Sequence, residues 1–208
     1  MSNPITSDVP SPIDLRLMSD AKKWEESAMR SRPWRVDFFA CFLEQIESAP
    51  LPILRILELG SGPGFLARHL LETTSGFSYT MLDFSPAMYE LAKARLGDTG
   101  GRVEFIERSF KEPAWTSGLG TFECVVTNQA VHELRHKRYA QELHAQVKSV
   151  LVPNGFYLVS DHYLGEGGMA NDQLYMSIAD QREALLAAGF ARVEQLLVKG
   201  GMVMHRAS

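Results

Sequence analysis

The stretch that decides the reading of this chain is Arg55–Leu71, RILELGSGPGFLARHLL. It begins inside Ile53–Leu59, a short β-branched, apolar run ending at Gly60, which is the signature of a strand buried on both faces. Gly60-Ser61-Gly62-Pro63-Gly64 follows, and Pro63–Thr73 then reads as a helix with Pro in its first turn. Glycines there permit positive φ and close backbone approach. A helix N-terminus adds free N–H donors and the positive end of a dipole. A second apolar run, Phe77–Leu82, ends at Asp83, nineteen residues beyond Gly64. A carboxylate at that strand end can accept both hydroxyl protons of a ribose. The dinucleotide fingerprint G-x-G-x-x-G would need glycine at position 65, which is Phe65, so the spacing favours a nucleoside without phosphates.

Outward from this unit the chain keeps alternating. Ser85–Leu96 reads as a helix capped by Ser85 with Pro86 at its first position. Arg102–Glu107 reads as a strand, Phe110–Gly120 as irregular, Phe122–Thr127 as a strand and His132–Leu151 as a helix. A Pro153-Asn154-Gly155 turn leads to the strand Phe156–Ser160. Gly165–Ser177 reads as a mobile insertion, and Asp180–Ala188 as a helix closed by Gly189. Ala191–Val198 and Met202–His205 flank Gly200-Gly201, a two-residue hairpin signal. On the N-terminal side, residues 1–18 read as a loose arm. Asp20–Ser48 is helical and divided by Pro33, with Asp20 as the first cap and an apolar face in Trp34–Ser48. Strands separated by helices require parallel pairing, and the terminal hairpin requires one antiparallel strand. The expected fold is therefore a doubly wound, Rossmann-like α/β sheet: five parallel-type strands, a C-terminal hairpin with an antiparallel last strand, and an N-terminal helical cap. The expected division is 1–52 for arm and cap and 53–208 for the ligand-binding domain.

Composition narrows the classes. The 208 residues carry a formal net charge of −4 and a pI of about 5.9, so no global positive field favours nucleic acid. Cys41 and Cys124 form neither a disulfide framework nor a paired-cysteine zinc site, and they suit a reducing, cytoplasmic compartment. The N-terminus lacks the basic and apolar regions of a signal peptide, and no window is long and apolar enough to span a bilayer.

Several motifs together resemble a known family. Glu58-Leu59-Gly60-Ser61-Gly62-Pro63-Gly64 is similar to the E/D-x-G-x-G-x-G motif of class I S-adenosylmethionine-dependent methyltransferases, and Asp83 lies where that family places its ribose-binding acid. Ser85-Pro86-Ala87-Met88 resembles the segment whose Met touches adenine. Thr127–Leu134 resembles the end of the family's fourth strand, Leu151–Gly155 the turn before its fifth, and the Gly-Gly hairpin its antiparallel seventh strand. The resemblance implies S-adenosyl-L-methionine as cofactor, held by Glu58, Gly60, Ser61, Gly62, Gly64, Asp83, Phe84, Met88, Ser109, Phe110 and Asn128. Ser109 stands where the family commonly has an Asp for the adenine amino group. The motifs of amino-methylating nucleic-acid enzymes and of cytosine-C5 enzymes are missing, so a small-molecule acceptor is expected, with no nucleic acid and no membrane.

Because a sulfonium methyl is already activated, such a protein must align the nucleophile and exclude water, with a base only where the acceptor carries a proton. Candidates at the carboxyl ends of strands are His132, Asp161 and His162, with Trp24, Arg30 and Trp34 as lid residues. Two alternatives stand beside this. One is a non-catalytic nucleoside-binding module that keeps the same cleft. The other is a zinc hydrolase, because His132-Glu133-Leu134-Arg135-His136 spells H-E-x-x-H, although the G-x-x-H extension is missing.

Overall fold

The computed structural model describes residues 7–53 and 55–208, so the first six residues of the expected arm and Leu54 of the first apolar run lie outside the described residues. Seven strands build one sheet: β1 (Arg55–Leu59), β2 (Ser78–Asp83), β3 (Val103–Glu107), β4 (Phe122–Asn128), β5 (Leu151–His162), β6 (Val193–Lys199) and β7 (Met202–Ala207). Their order is β3-β2-β1-β4-β5-β7-β6. β1 pairs in parallel with β2 and β4, β2 with β3, and β4 with β5, whereas β7 runs antiparallel to both β5 and β6. The doubly wound sheet with an antiparallel last strand expected from the sequence is the observed one. The chain reverses its direction of winding between β1 and β4, so their carboxyl ends open the crevice where such sheets bind ligands.

The apolar runs form strands because both sheet faces are covered. Ile56, Cys124, Val126, Phe156 and Leu158 point to one face and pack against α2 (Arg35–Glu47), α3 (Phe65–Thr73) and α4 (Pro86–Leu96). Leu57, Val125, Tyr157 and Val159, the alternate residues, meet α5 (Ala140–Ser149) and α6 (Ile178–Ala187) on the other. Period-two alternation between two apolar faces yields a near-continuous hydrophobic run. Phe38, Phe42 and Ile46 place α2 inside the first of these cores, while α1 (Met18–Ser31) packs Ala21 against Ala87 and Met88 of α4.

Local signals were read correctly where the cause is local. The Ser85 hydroxyl accepts the Met88 N–H at 3.1 Å with Pro86 at the first turn of α4. Gly200 and Gly201 take φ of +57° and +78°, as the hairpin requires. Five expectations are corrected. Asp20 does not cap α1; its carboxylate accepts the Asp14 N–H at 3.0 Å from within the first turn. The helix expected from His132 begins only at Ala140. Val131–Leu134 and Lys137–Tyr139 are short 3₁₀ turns, separated by Arg135 at φ +69°. β5 already starts at Leu151, and the Pro-Asn-Gly turn is a bulge within it, with Asn154 at φ +64°. The arm is tied down over residues 8–15. Val9 exchanges hydrogen bonds with the Arg135 backbone and guanidinium, and the Ser85 hydroxyl donates to the Leu15 carbonyl at 2.5 Å. The 165–177 segment is likewise bonded in, through Leu164 N–H to Met176 O at 2.8 Å and a buried Leu174.

Candidate functional site

The glycine loop leaves the end of β1 under steric constraint. Gly60 has φ +61°, and a β-carbon there would lie 2.4 Å from the Ala130 Cβ. Its N–H donates to the Leu82 carbonyl at 2.8 Å, which joins the ends of β1 and β2. Gly64 caps α3 in the left-handed region at φ +77°, and a β-carbon there would meet Ala92. The Asp83 carboxylate accepts the Gly62 N–H at 2.8 Å and the Ser85 N–H at 3.0 Å. Burial outweighs those donors and raises its pKa to about 6. The Tyr89 hydroxyl accepts the Asp83 N–H at 2.7 Å and also lies against the Ile106 carbonyl, tying β2 to β3 beneath the site.

These elements line an open cleft. Of the lid candidates, Trp24 borders it whereas Arg30 and Trp34 do not, Trp34 packing against Gly200. Of the sequence-derived cofactor and catalytic residues, Glu58, Gly60, Ser61, Gly62, Asp83, Phe84, Met88, Phe110, Asn128, His132 and His162 border it. Three do not. Gly64 sits behind the loop, Asp161 lies in a smaller adjoining pocket with His132 and His162, and Ser109 faces a separate pocket beneath residues 11–16. Glu58 is buried against the Tyr79 hydroxyl, 2.9 Å away. Burial and the nearby Asp83 push its pKa to about 8 against the help of that hydrogen bond, so it is largely neutral at pH 7. Asn128 accepts the Ser160 hydroxyl at 2.6 Å.

The opposite end of the cleft is built by residues of the turn after β4 and of the end of β5. His132 Nδ1 lies 2.6 Å from Asp161 Oδ1, and the same carboxylate accepts the backbone N–H of His132 at 2.8 Å and of His162 at 2.7 Å. Glu133 Oε1 lies 3.4 Å from His132 Nε2. Burial opposes charging this imidazole, but Asp161 and Glu133 together outweigh it and hold its pKa near 10. His162 goes the other way: burial takes its pKa down to about 4, leaving it neutral. Its Nε2 lies 3.0 Å from Gln129 Nε2. Tyr175, from the segment read as a mobile insertion, brings its ring within 5.7 Å of His132 and 6.0 Å of His162.

Sequence reading missed Gln129, Tyr175 and Arg35. Gln129 carries the one available signal, a residue directly after a strand, and its φ of +58° is visible only in the structure. The H-E-x-x-H spacing does not become a metal-binding face. That motif needs both histidines one helical turn apart, and Arg135 breaks the helix between them. His136 instead accepts the Arg138 N–H at 3.1 Å.

Residues 56–155 match a family model described as a methyltransferase domain. Malonyl-acyl-carrier-protein O-methyltransferase of Magnetococcus marinus is 34% identical over 89 residues, which cover 42% of this chain and 32% of that protein. The chain spans a third or less of the curated relatives it matches, and only 3% to 7% of the large polyketide synthases among them. Two solved structures share the fold. An O-methyltransferase family protein from Burkholderia thailandensis superposes with a TM-score of 0.71 at 17% identity, covering 91% of this chain and 59% of that one. A DhpI–SAH complex superposes with 0.68 at 20% identity, covering 93% and 95%. Residues 56–155 thus carry a methyltransferase domain, set in the β3-β2-β1-β4-β5-β7-β6 sheet with the glycine loop at its switch point.

Proposed function

We propose that this chain moves a methyl group from S-adenosyl-L-methionine to a nucleophile on a small-molecule acceptor seated against His132, His162 and Tyr175. The observation that carries this is one cleft with the glycine loop and Asp83 at one end and His132, held from behind by Asp161, at the other, with Tyr175 in the small pocket that adjoins it. The cleft fits the cofactor. Gly60 and Gly62 leave backbone where side chains would intrude or strain, and the buried Ser61 Oγ and Gln129 Oε1 have no partner in the protein. Asp83 would take the ribose hydroxyls, Phe84, Met88 and Phe110 would flank the adenine, and Ser61 would meet the polar tail. When bound, the cofactor supplies a methyl already activated on a sulfonium.

The chain's own residues then position and deprotonate. Asp161 fixes the His132 ring through Nδ1, so Nε2 is the atom left to exchange a proton with the acceptor, in the place of the loosely held Glu133. The rings of His162 and Tyr175 pack around the His132 ring and would shield the transfer line from water. Residues 1–52 act as a cap on 53–208, a division supported by Trp24, Arg32 and Arg35 reaching the cleft from the N-terminal helices. A cytoplasmic setting accords with the unpaired Cys41 and Cys124, and no helix among the described residues is long and apolar enough to cross a membrane.

Titration calorimetry with S-adenosylhomocysteine tests the cofactor half, and lack of binding at high micromolar concentration would overturn it. With an acceptor in hand, the pH profile tests the rest. A base whose pKa is near 10 is mostly protonated at neutrality, so kcat/KM should climb with pH toward 10. Asp161→Asn should move that rise to lower pH and reduce the rate at its plateau. A profile that is flat between pH 7 and 10 in both proteins removes His132 from proton transfer.

A further inference from the structure

Arg35 is the least explained side chain in the cleft. It occupies the first turn of α2 and is 3% exposed, whereas the next residue, Val36, is 51% exposed. Cation inward and aliphatic outward reverses the pattern that packing alone would select. Among the described residues, no carboxylate lies within ion-pair distance of its guanidinium, and its Nε has no hydrogen-bond partner. Nearby acids are engaged elsewhere. Asp37 pairs with Lys199 at 2.7 Å, Glu25 with Arg95, Glu58 with Tyr79, and Glu133 with His132 and Arg135. The Trp24 ring backs the guanidinium, with its centroid 5.0 Å from Cζ. Arg32 borders the same cleft. Burial and the Arg32 charge lower the Arg35 pKa to about 10, which keeps it cationic at neutral pH.

A buried cation without a counter-ion is unfavourable unless a ligand supplies the anion. We propose that Arg35, assisted by Arg32, is the receptor for a carboxylate of a ligand in this cleft. The planar guanidinium fork matches a carboxylate in two parallel hydrogen bonds, which a lysine could not reproduce. Under the methyltransferase reading, on which the ligand's identity rests, that carboxylate has two sources: the amino-acid tail of the cofactor or an acidic acceptor.

Three probes separate the sources: S-adenosylhomocysteine, 5′-deoxy-5′-methylthioadenosine, which lacks the amino-acid tail, and malonate as a free dicarboxylate. Each is titrated into the wild-type chain, Arg35→Met and Arg35→Lys. If the tail is the ligand, Arg35→Met weakens S-adenosylhomocysteine by at least about tenfold and leaves methylthioadenosine unchanged. If an acidic acceptor is the ligand, both nucleosides bind Arg35→Met normally, but the rise in melting temperature with malonate seen in the wild type is lost. Arg35→Lys falls between in either case. Unliganded Arg35→Met should melt no lower than the wild type, since it removes an unpaired buried charge; a purely structural arginine would lower the melt. Equal weakening of both nucleosides overturns the proposal, as does unchanged response to all three probes. A wild-type chain that ignores S-adenosylhomocysteine yet responds to malonate through Arg35 sinks the methyltransferase reading and leaves the carboxylate receptor standing.

Discussion

Gly60 and Gly62 differ by two positions and by the reason each must be glycine. Both have positive φ, but a β-carbon at Gly60 collides with Ala130, whereas at Gly62 nothing lies within 4 Å. Gly62→Ala should therefore cost only the left-handed backbone penalty of about 1–2 kcal/mol. Gly60→Ala adds overpacking and should cost about 2–4 kcal/mol by urea denaturation. Equal costs would show that Ala130 yields. Glu58 makes a separate point about pH. Its folded pKa near 8 lies above the unfolded value near 4.5, so its contribution to stability is complete below about 4.5 and is lost as pH rises to about 8. Glu58→Gln keeps an acceptor for Tyr79 without an ionisable proton. Its stability relative to the wild type should grow between pH 5 and 8 and then level off, and a pH-independent difference would remove the carboxylate from the linkage. The residue pattern around the loop was legible in the sequence because each glycine answers a local backbone demand. Arg35 was not, since an arginine in a helical stretch reads as solvated until its burial is seen.

At the level of elements, α2 shows how far periodicity reaches. The apolar face expected within Trp34–Ser48 is the buried one, with Phe38, Phe42 and Ile46 in the sheet core. Phe42 is fully buried, and Phe42→Ala should cost about 3–5 kcal/mol through lost burial and the cavity left behind. A loss below about 1 kcal/mol would mean that α2 is a detachable cap and not part of the sheet's core. Residues 131–139 show where periodicity fails. Their sequence suits a helix, but Arg135 instead bonds the carbonyls of Val9 at 2.9 Å and Pro10 at 2.7 Å, contacts made across more than a hundred residues. A non-local partner set overrides local helix preference there. The same break aims His132 at Asp161 and dissolves the apparent zinc motif.

For the whole molecule, the cleft joins parts that lie far apart in the chain: α1 and α2, the β1 loop, the β2 end, the turn after β4 and the end of β5. A ligand bridging them stabilises the fold by mass action. S-adenosylhomocysteine at 100 times its dissociation constant should add about 2.7 kcal/mol. For a chain of this size that corresponds to a melting-temperature rise of roughly 5–11 °C. A titration that binds calorimetrically without raising the melt would mean that the unfolded chain binds as well.

The sequence alone determined the order of strands and helices along the chain, the parallel sheet with its antiparallel last strand, and the glycine loop with Asp83 at the end of the next strand. Those features follow from periodicity, from turn chemistry and from backbone conformations that few residues tolerate, and all of these act between near neighbours. Only the tertiary structure decided which side chains share the cleft. It brought Tyr175 to the two histidines, set Asp161 behind His132, left Ser109 in another pocket and turned Arg35 inward without a counter-ion. The physical reason is that charge pairing and burial depend on distances between elements, and those distances exist only once both faces of the sheet are packed.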